Sequence, residues 1–134
     1  HWEIYNRAKK DLVDTDEKIE FAIQKIAMEC LNGVVFKTPV KTGRLRNNWI
    51  TSVDRMNPTT IQGADGAGQS IVRGTPVIEG FEYKKNKMII IQNNLPYANK
   101  VENGSSKNAP QGMVEPTINE VRTRNREILI WPIN

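Results

Sequence analysis

NNLPYANKVENGSSKNAPQGM, residues 93–113, lies between the apolar run Met88-Ile89-Ile90-Ile91 and a helix-like segment that opens near Pro116. Its residues fix a backbone rather than fill a core. Pro96 cannot donate a ladder hydrogen bond, so the strand before it ends at or before Leu95. Asn103-Gly104 admits a positive φ and suits a tight turn. Ala109-Pro110-Gln111-Gly112 places Pro and Gly at the second and fourth positions of a type I turn. Roughly twenty residues without regular structure are unusual in a compact domain and tend to be functional or a linker. Leu95, Tyr97, Val101 and Met113 recur as apolar anchors, which predicts an ordered surface loop. Tyr97 is expected to pin that loop to the domain, and Asn94 to bond loop backbone.

On either side of the loop the pattern becomes regular. Lys87 to Gln92 is the clearest strand, and its unbroken apolar run suggests a central strand covered on both faces. Tyr83 to Asn86 is a polar turn leading into it. Beyond the loop, Pro116 suits the first position of a helix whose Val114, Ile118, Val121 and Asn125 share a face. The end of the chain, Ile128 to Ile133 with Trp131, is apolar for a terminus. It is predicted to add an edge strand to its own sheet or to that of a neighbouring subunit.

The N-terminal half is dominated by one periodic stripe. Trp2, Ile4 or Tyr5, Ala8 and Leu12 form a loose helical pattern, and Asp14-x-x-Glu17 resembles a capping box. Ile19, Ala22, Ile23, Ile26, Ala27, Cys30 and Leu31 then repeat at three and four, extended by Val34. They predict an amphipathic helix from about Thr15 to Val35, roughly 30 Å long. Asn32-Gly33 is an early stop signal and Pro39 a firm one. Cys30 lies on the apolar stripe and is expected to be a buried core thiol. Thr38 to Arg46 is a structured connection turning at Thr42-Gly43. Leu45 to Val53 alternates as a half-buried strand in which Trp49 is either a core aromatic or an interface anchor. Gln62 to Ser70 is glycine-rich but lacks both phosphate-loop endings, so it is expected to be a mobile loop, with its glycines at 63 to 68 ordering on docking. Ile71-Val72 is a candidate second strand, and Gly74, Pro76 and Gly80 argue against a long element over Thr75 to Tyr83.

Composition narrows the function classes. With 134 residues, 38% apolar and 25% charged, the chain is expected to form a single domain over 1–134. No apolar run is long enough for a membrane span. The start, His1-Trp2-Glu3-Ile4, lacks an initiator Met and a signal-peptide core, which suggests a trimmed or renumbered N-terminus. A single cysteine excludes an internal disulfide and suits a reducing cytosol. The net charge of +4 is modest, and its lysines and arginines are scattered as on a solvated surface. One histidine, His1, rules out most acid–base and triad schemes, and no spacing suits zinc or calcium. Neither an enzyme nor a cofactor is indicated.

Two stretches carry a family resemblance. Asn94-Leu95-Pro96-Tyr97-Ala98, Val101-Glu102-Asn103-Gly104-Ser105 and Ala109-Pro110-Gln111-Gly112-Met113-Val114 resemble the signature of neck or tail-completion proteins of long-tailed bacteriophages. Thr38 to Trp49 resembles the same family's Pro-Val-Asp-Thr-Gly-x-Leu-Arg segment, with Lys41 in place of the acidic residue. Together they cover about a quarter of the chain. The resemblance implies architecture and assembly: a virion protein, made in the bacterial host cytoplasm, that forms a ring at the head-proximal end of the tail. Implied partners are its own copies, tail-tube and head-connector proteins, and genomic DNA passing through the channel. Asn94, Pro96, Tyr97, Glu102, Gly104, Pro110, Gly112, Trp49, Arg44 and Trp131 are the expected loop and interface residues. The element order predicts an α+β fold, a long N-terminal helix and a C-terminal helix packed on a small, mainly antiparallel sheet. The rival reading is a nucleic-acid-binding module using the dispersed Lys and Arg, with Trp49 or Tyr97 as stacking platforms.

Overall fold

The apolar stripe of the N-terminal half becomes the central element. In the computed structural model, which describes residues 15–40, 43–63, 68–107 and 109–129, helix α1 spans Thr15–Lys37. Asp16 and Glu17 in its first turn and Lys37 in its last complement the helix dipole. Ala27, Leu31, Val34 and Val35 form its buried face. Burying a side chain of Leu31's size stabilises the fold by about 1.5–3 kcal/mol. The helix runs past Asn32-Gly33 because Gly33 is a contact point rather than a stop. A Cβ there would lie 2.4 Å from Thr117 Cγ2. It stops before Pro39, and the Thr38 hydroxyl closes the end by donating to the Val34 carbonyl at 2.6 Å.

The next segment departs from the expected strand. Arg44–Asn47 form a short helix, α2, entered through Gly43 at φ 73. Strand β1 covers only Trp49–Val53. Asn47 and Asn48 are buried, and a strand would leave their amides without partners. Helical backbone lets Asn48 Nδ2 donate to the Arg44 and Ile61 carbonyls, at 2.8 and 2.9 Å. Asn48 Oδ1 accepts the Ile61 amide, and Asn47 Oδ1 accepts from the Arg73 guanidinium. Trp49 is only 4% exposed, and its Nε1 donates to Thr38 Oγ1 at 2.7 Å. It is a core aromatic, not an interface anchor.

Helix α3, Gln69–Glu79, replaces both the expected second strand at Ile71-Val72 and the irregular stretch after it. Its buried positions are Ser70, Gly74 and Ile78, four residues apart. Gly74 breaks nothing. It lets the helix touch α1 and the sheet, since a Cβ there would lie 2.6 Å from both Leu31 Cδ2 and Thr51 Oγ1. Pro76 sits inside the helix, and Phe81 beyond its end is buried.

Strand β2, Ile89–Asn93, pairs antiparallel with β1 from Trp49↔Asn93 to Val53↔Ile89. The far end of this strand pair is closed by Asp54, at φ 66, whose carboxylate accepts the Lys87 and Met88 amides at 2.6 and 3.1 Å. Those bonds, with one from Asn86, hold the Asp54 carboxyl below its ordinary range. Among the described residues the sheet has two strands, so β2 is not a central strand. Its residues are half-buried rather than covered on both faces.

The loop at residues 93–113 also contains a helix, α4, Ala98–Glu102. Helix α5 follows at Val114–Arg124, with Pro116 third in the helix rather than first. Its buried face is Thr117, Val121 and the following Asn125, while Ile118 is partly exposed. Thr117 displaces Ile118 from that face because only a small side chain fits against Gly33. Arg126–Leu129 form a last short helix, α6, where the start of an edge strand was expected. The remainder of that strand, with Trp131, lies outside the described residues, as do the Trp2 to Leu12 stripe, the Asp14 cap and residues 64–67 of the glycine-rich loop.

Helix α5 lies against α1 in the opposite direction. Lys37 Nζ meets Glu120 Oε2 at 2.7 Å near one end, and Lys25 Nζ donates to Asn125 Oδ1 at 2.6 Å near the other. The fold is α+β, with a long N-terminal helix and a C-terminal helix packed with a small antiparallel sheet.

Candidate functional site

The loop between β2 and α5 is held from inside by its apolar residues. Leu95, Ala98, Val101, Ala109 and Met113 all join the core around Leu31 and Trp49. Tyr97 does not. It is 38% exposed and precedes α4, outside the buried cluster that holds the loop. Its carbonyl instead accepts the Val101 amide as α4 begins. Pro96, just before it, lies beyond the last residue of β2. Asn94 Nδ2 donates to the Asn57 and Thr59 carbonyls, both at 2.7 Å. It ties β2 to the segment after β1 rather than to its own loop.

Glu102 fixes the other half of the loop. Its Oε1 accepts the Met113 and Val114 amides at 2.7 and 2.8 Å, and Oε2 accepts the Glu115 amide at 3.2 Å. A helix start leaves such amides without intrahelical partners, and the carboxylate satisfies them while favouring the dipole. The chain must fold back tightly for this. Gly112, at φ 87, permits it, and any Cβ there would lie 2.5 Å from the Glu102 carbonyl oxygen. Gly104, at φ 91, abuts the Pro110 carbonyl in the same way.

Held so, the Ala109–Gly112 turn faces the end of α1. Between them lies an open cleft of about 490 Å³, lined by Phe36, Pro39, Val40, Pro110, Gln111 and Pro116, among others. Phe36 is 70% exposed and Val40 52%, two of several large apolar groups left at the surface, and these two share one cleft. Lys37, ion-paired to Glu120, and Arg46, donating to the Thr38 carbonyl, also line it. That pairing holds the Glu120 carboxyl below its ordinary range. The two motif segments, distant in sequence, thus form one surface.

Of the expected residues, Pro110 and Gly112 line the cleft. Glu102 and Gly104 brace the turn from behind. Asn94 and Trp49 lie elsewhere, and Arg44, in the first position of α2, is not among the lining residues. Phe36 and Val40 were not anticipated, although Phe36 falls outside the stripe that buries its neighbours Val34 and Val35.

A second, more apolar groove of about 370 Å³ runs between α1, β2 and α5. Ile23, Ile26, Cys30, Ile89, Ile91 and Ile118 are among its walls. Cys30 is half-buried here rather than enclosed in the core. Burial pushes its thiol up, Glu29 adds to this and Arg124 opposes it. A thiol so shifted is a poor nucleophile. Among the described residues no cluster of His, Cys, Asp and Glu is placed to hold a metal ion. No helix among them is long and apolar enough to cross a membrane.

A family profile described as "Bacteriophage HK97-gp10, putative tail-component" matches residues 3–104. The chain belongs to this family. No curated protein and no solved structure matches it. As an HK97-gp10-like tail component it is a virion protein that works among other phage tail and head proteins. The match takes in α1 to α4 and Glu102, and stops before the Ala109–Gly112 turn and α5. In this tail component the family-matched part therefore supplies one wall of the cleft. The remainder supplies the other, held in place by the Glu102 carboxylate.

Proposed function

We propose that this tail component is a tail-completion or head–tail joining (neck) subunit, acting in a ring at the head-proximal end of the tail. The observation that carries the reading is the exposed pair Phe36 and Val40 beside the Ala109–Gly112 turn. A monomer gains nothing from exposing them, whereas a head-to-tail ring contact buries such a patch on every copy. Tail-tube and head-connector proteins are the partners for the remaining surfaces, with genomic DNA passing through the ring. The role is structural and non-catalytic, with assembly in the bacterial host cytoplasm.

The family supports the tail, and the neck is the finer step. Immunogold labelling or crosslinking in intact particles tests it. Label confined to the head–tail junction is expected. Label along the tail shaft or at its distal tip would overturn the proposal. A nucleic-acid-binding module is disfavoured because Trp49, one of its two stacking platforms, is buried.

A further inference from the structure

The groove between α1, β2 and α5 is a site of a different character from the cleft. Its walls are isoleucines, Ala27, Val34, Val114 and the ring of Trp49. Its polar lining groups are the Cys30 thiol and the Thr117 hydroxyl, and the latter already donates to the Met113 carbonyl. Among the described residues no charged side chain lines it. Such a surface selects an apolar occupant, because a polar one would lose its water without gaining partners. Left open, it would hold water against apolar walls.

The geometry points to the chain's own C-terminal tail, Ile130-Trp131-Pro132-Ile133, as that occupant. Three observations converge on it. The tail is apolar throughout those four residues. Its point of departure is fixed: Asn125 is bonded to Lys25 and Glu29, beside Ile23 and Ile26 at one end of the groove. Only the single turn of α6 separates Asn125 from residue 130. The lengths also agree. The α1 wall from Ile23 to Val34 is about 16 Å long at 1.5 Å per residue. Residues 130–133, extended, reach about 13 Å at 3.3 Å per residue. The tail docks by its side chains, since Pro132 has no N–H to give a strand ladder. This inference is independent of the neck reading, and either can fail without the other.

Cys30, the single cysteine, is a reporter built into the groove wall. Pro132→Cys in the full chain leaves Ile130, Trp131 and Ile133 in place and adds one thiol. Mild oxidation of the dilute protein, followed by a non-reducing gel and mass spectrometry, should give a 30–132 disulfide within one chain. A disulfide joining two chains would overturn the proposal in favour of a neighbour's tail. Two thiols that remain free would overturn it outright. A second measurement uses Trp131→Ser in the full chain. Alkylation of Cys30 should become at least about tenfold faster, the factor that loss of 1.4 kcal/mol of docking free energy gives, with unchanged helical circular dichroism. An unchanged rate would mean that something other than the tail covers Cys30.

Discussion

Glu102 caps a helix that begins twelve residues after it. Asp54 does similar work on a smaller scale, closing the end of the strand pair through two backbone amides. Glu102→Ala should lower stability by about 1–2 kcal/mol, the usual cost of losing a cap. Glu102→Gln should lose less, since one oxygen still accepts. Urea denaturation with an unchanged slope would measure both. An alanine variant as stable as the parent would show that water replaces the carboxylate. The Asp54 carboxyl is held below its ordinary range in the folded chain. The stabilisation it gives is therefore present above the ordinary aspartate pKa and is lost as pH falls through the depressed one. Asp54→Asn tolerates the positive φ and still accepts a bond, but does not titrate. Its stability should fall less steeply with acid than the parent's. Parallel curves would place the acid sensitivity elsewhere, with Glu120 as the next group to replace. At this scale the sequence is legible in part. The turn at Ala109–Gly112 and the tight turn at Gly104 can be read from residue types. The exposure of Tyr97 cannot, because a ring at a helix start faces the core or water according to neighbours distant in sequence.

Between elements, contact depends on what is missing. Gly33 and Gly74 look like weak points in a helix, yet they are where α5 and the sheet come closest to α1 and α3. That is why α3 was illegible. Its buried face is Ser70, Gly74 and Ile78, and two of these carry no hydropathy for a periodicity to register. The α1 stripe was legible for the opposite reason, being aliphatic at each buried turn. β2 was also visible, but its half-buried state was not, because an apolar run does not show how many strands flank it. A Gly33→Ala substitution separates propensity from packing. Alanine should gain up to about 1 kcal/mol of helix propensity. The new methyl, 2.4 Å from Thr117 Cγ2, should cost about 1–3 kcal/mol by overpacking. Net destabilisation is expected, with Thr117→Ala in the same chain restoring part of it. Thermal melts of the two single variants and the double variant give the coupling. A more stable single variant would mean that the helices simply move apart.

For the whole molecule, the cleft and the core answer to different measurements. Phe36 is mostly exposed, so Phe36→Ser should change the unfolding free energy by no more than an ordinary surface change does, about ±0.5 kcal/mol. Particles made with it should accumulate as separate heads and tails. Normal joining would remove Phe36 from the assembly surface. The cleft itself was not legible as a surface, because its walls are some seventy residues apart in sequence and each reads alone as a turn. The bond from Glu102 to α5 also bears on how such genes can be recombined. Residue 104, where the family match ends, looks like a natural joint for exchanging C-terminal parts between related phages. Yet the first turn of the helix beyond that joint is completed by a carboxylate before it. A chimera spliced there should fold when the donor of its N-terminal part keeps an acid at position 102, and should melt lower when it does not. Helix content and melting temperature across a small set of such hybrids would show the dependence. The seam in the family match is not a seam in this chain's hydrogen bonding.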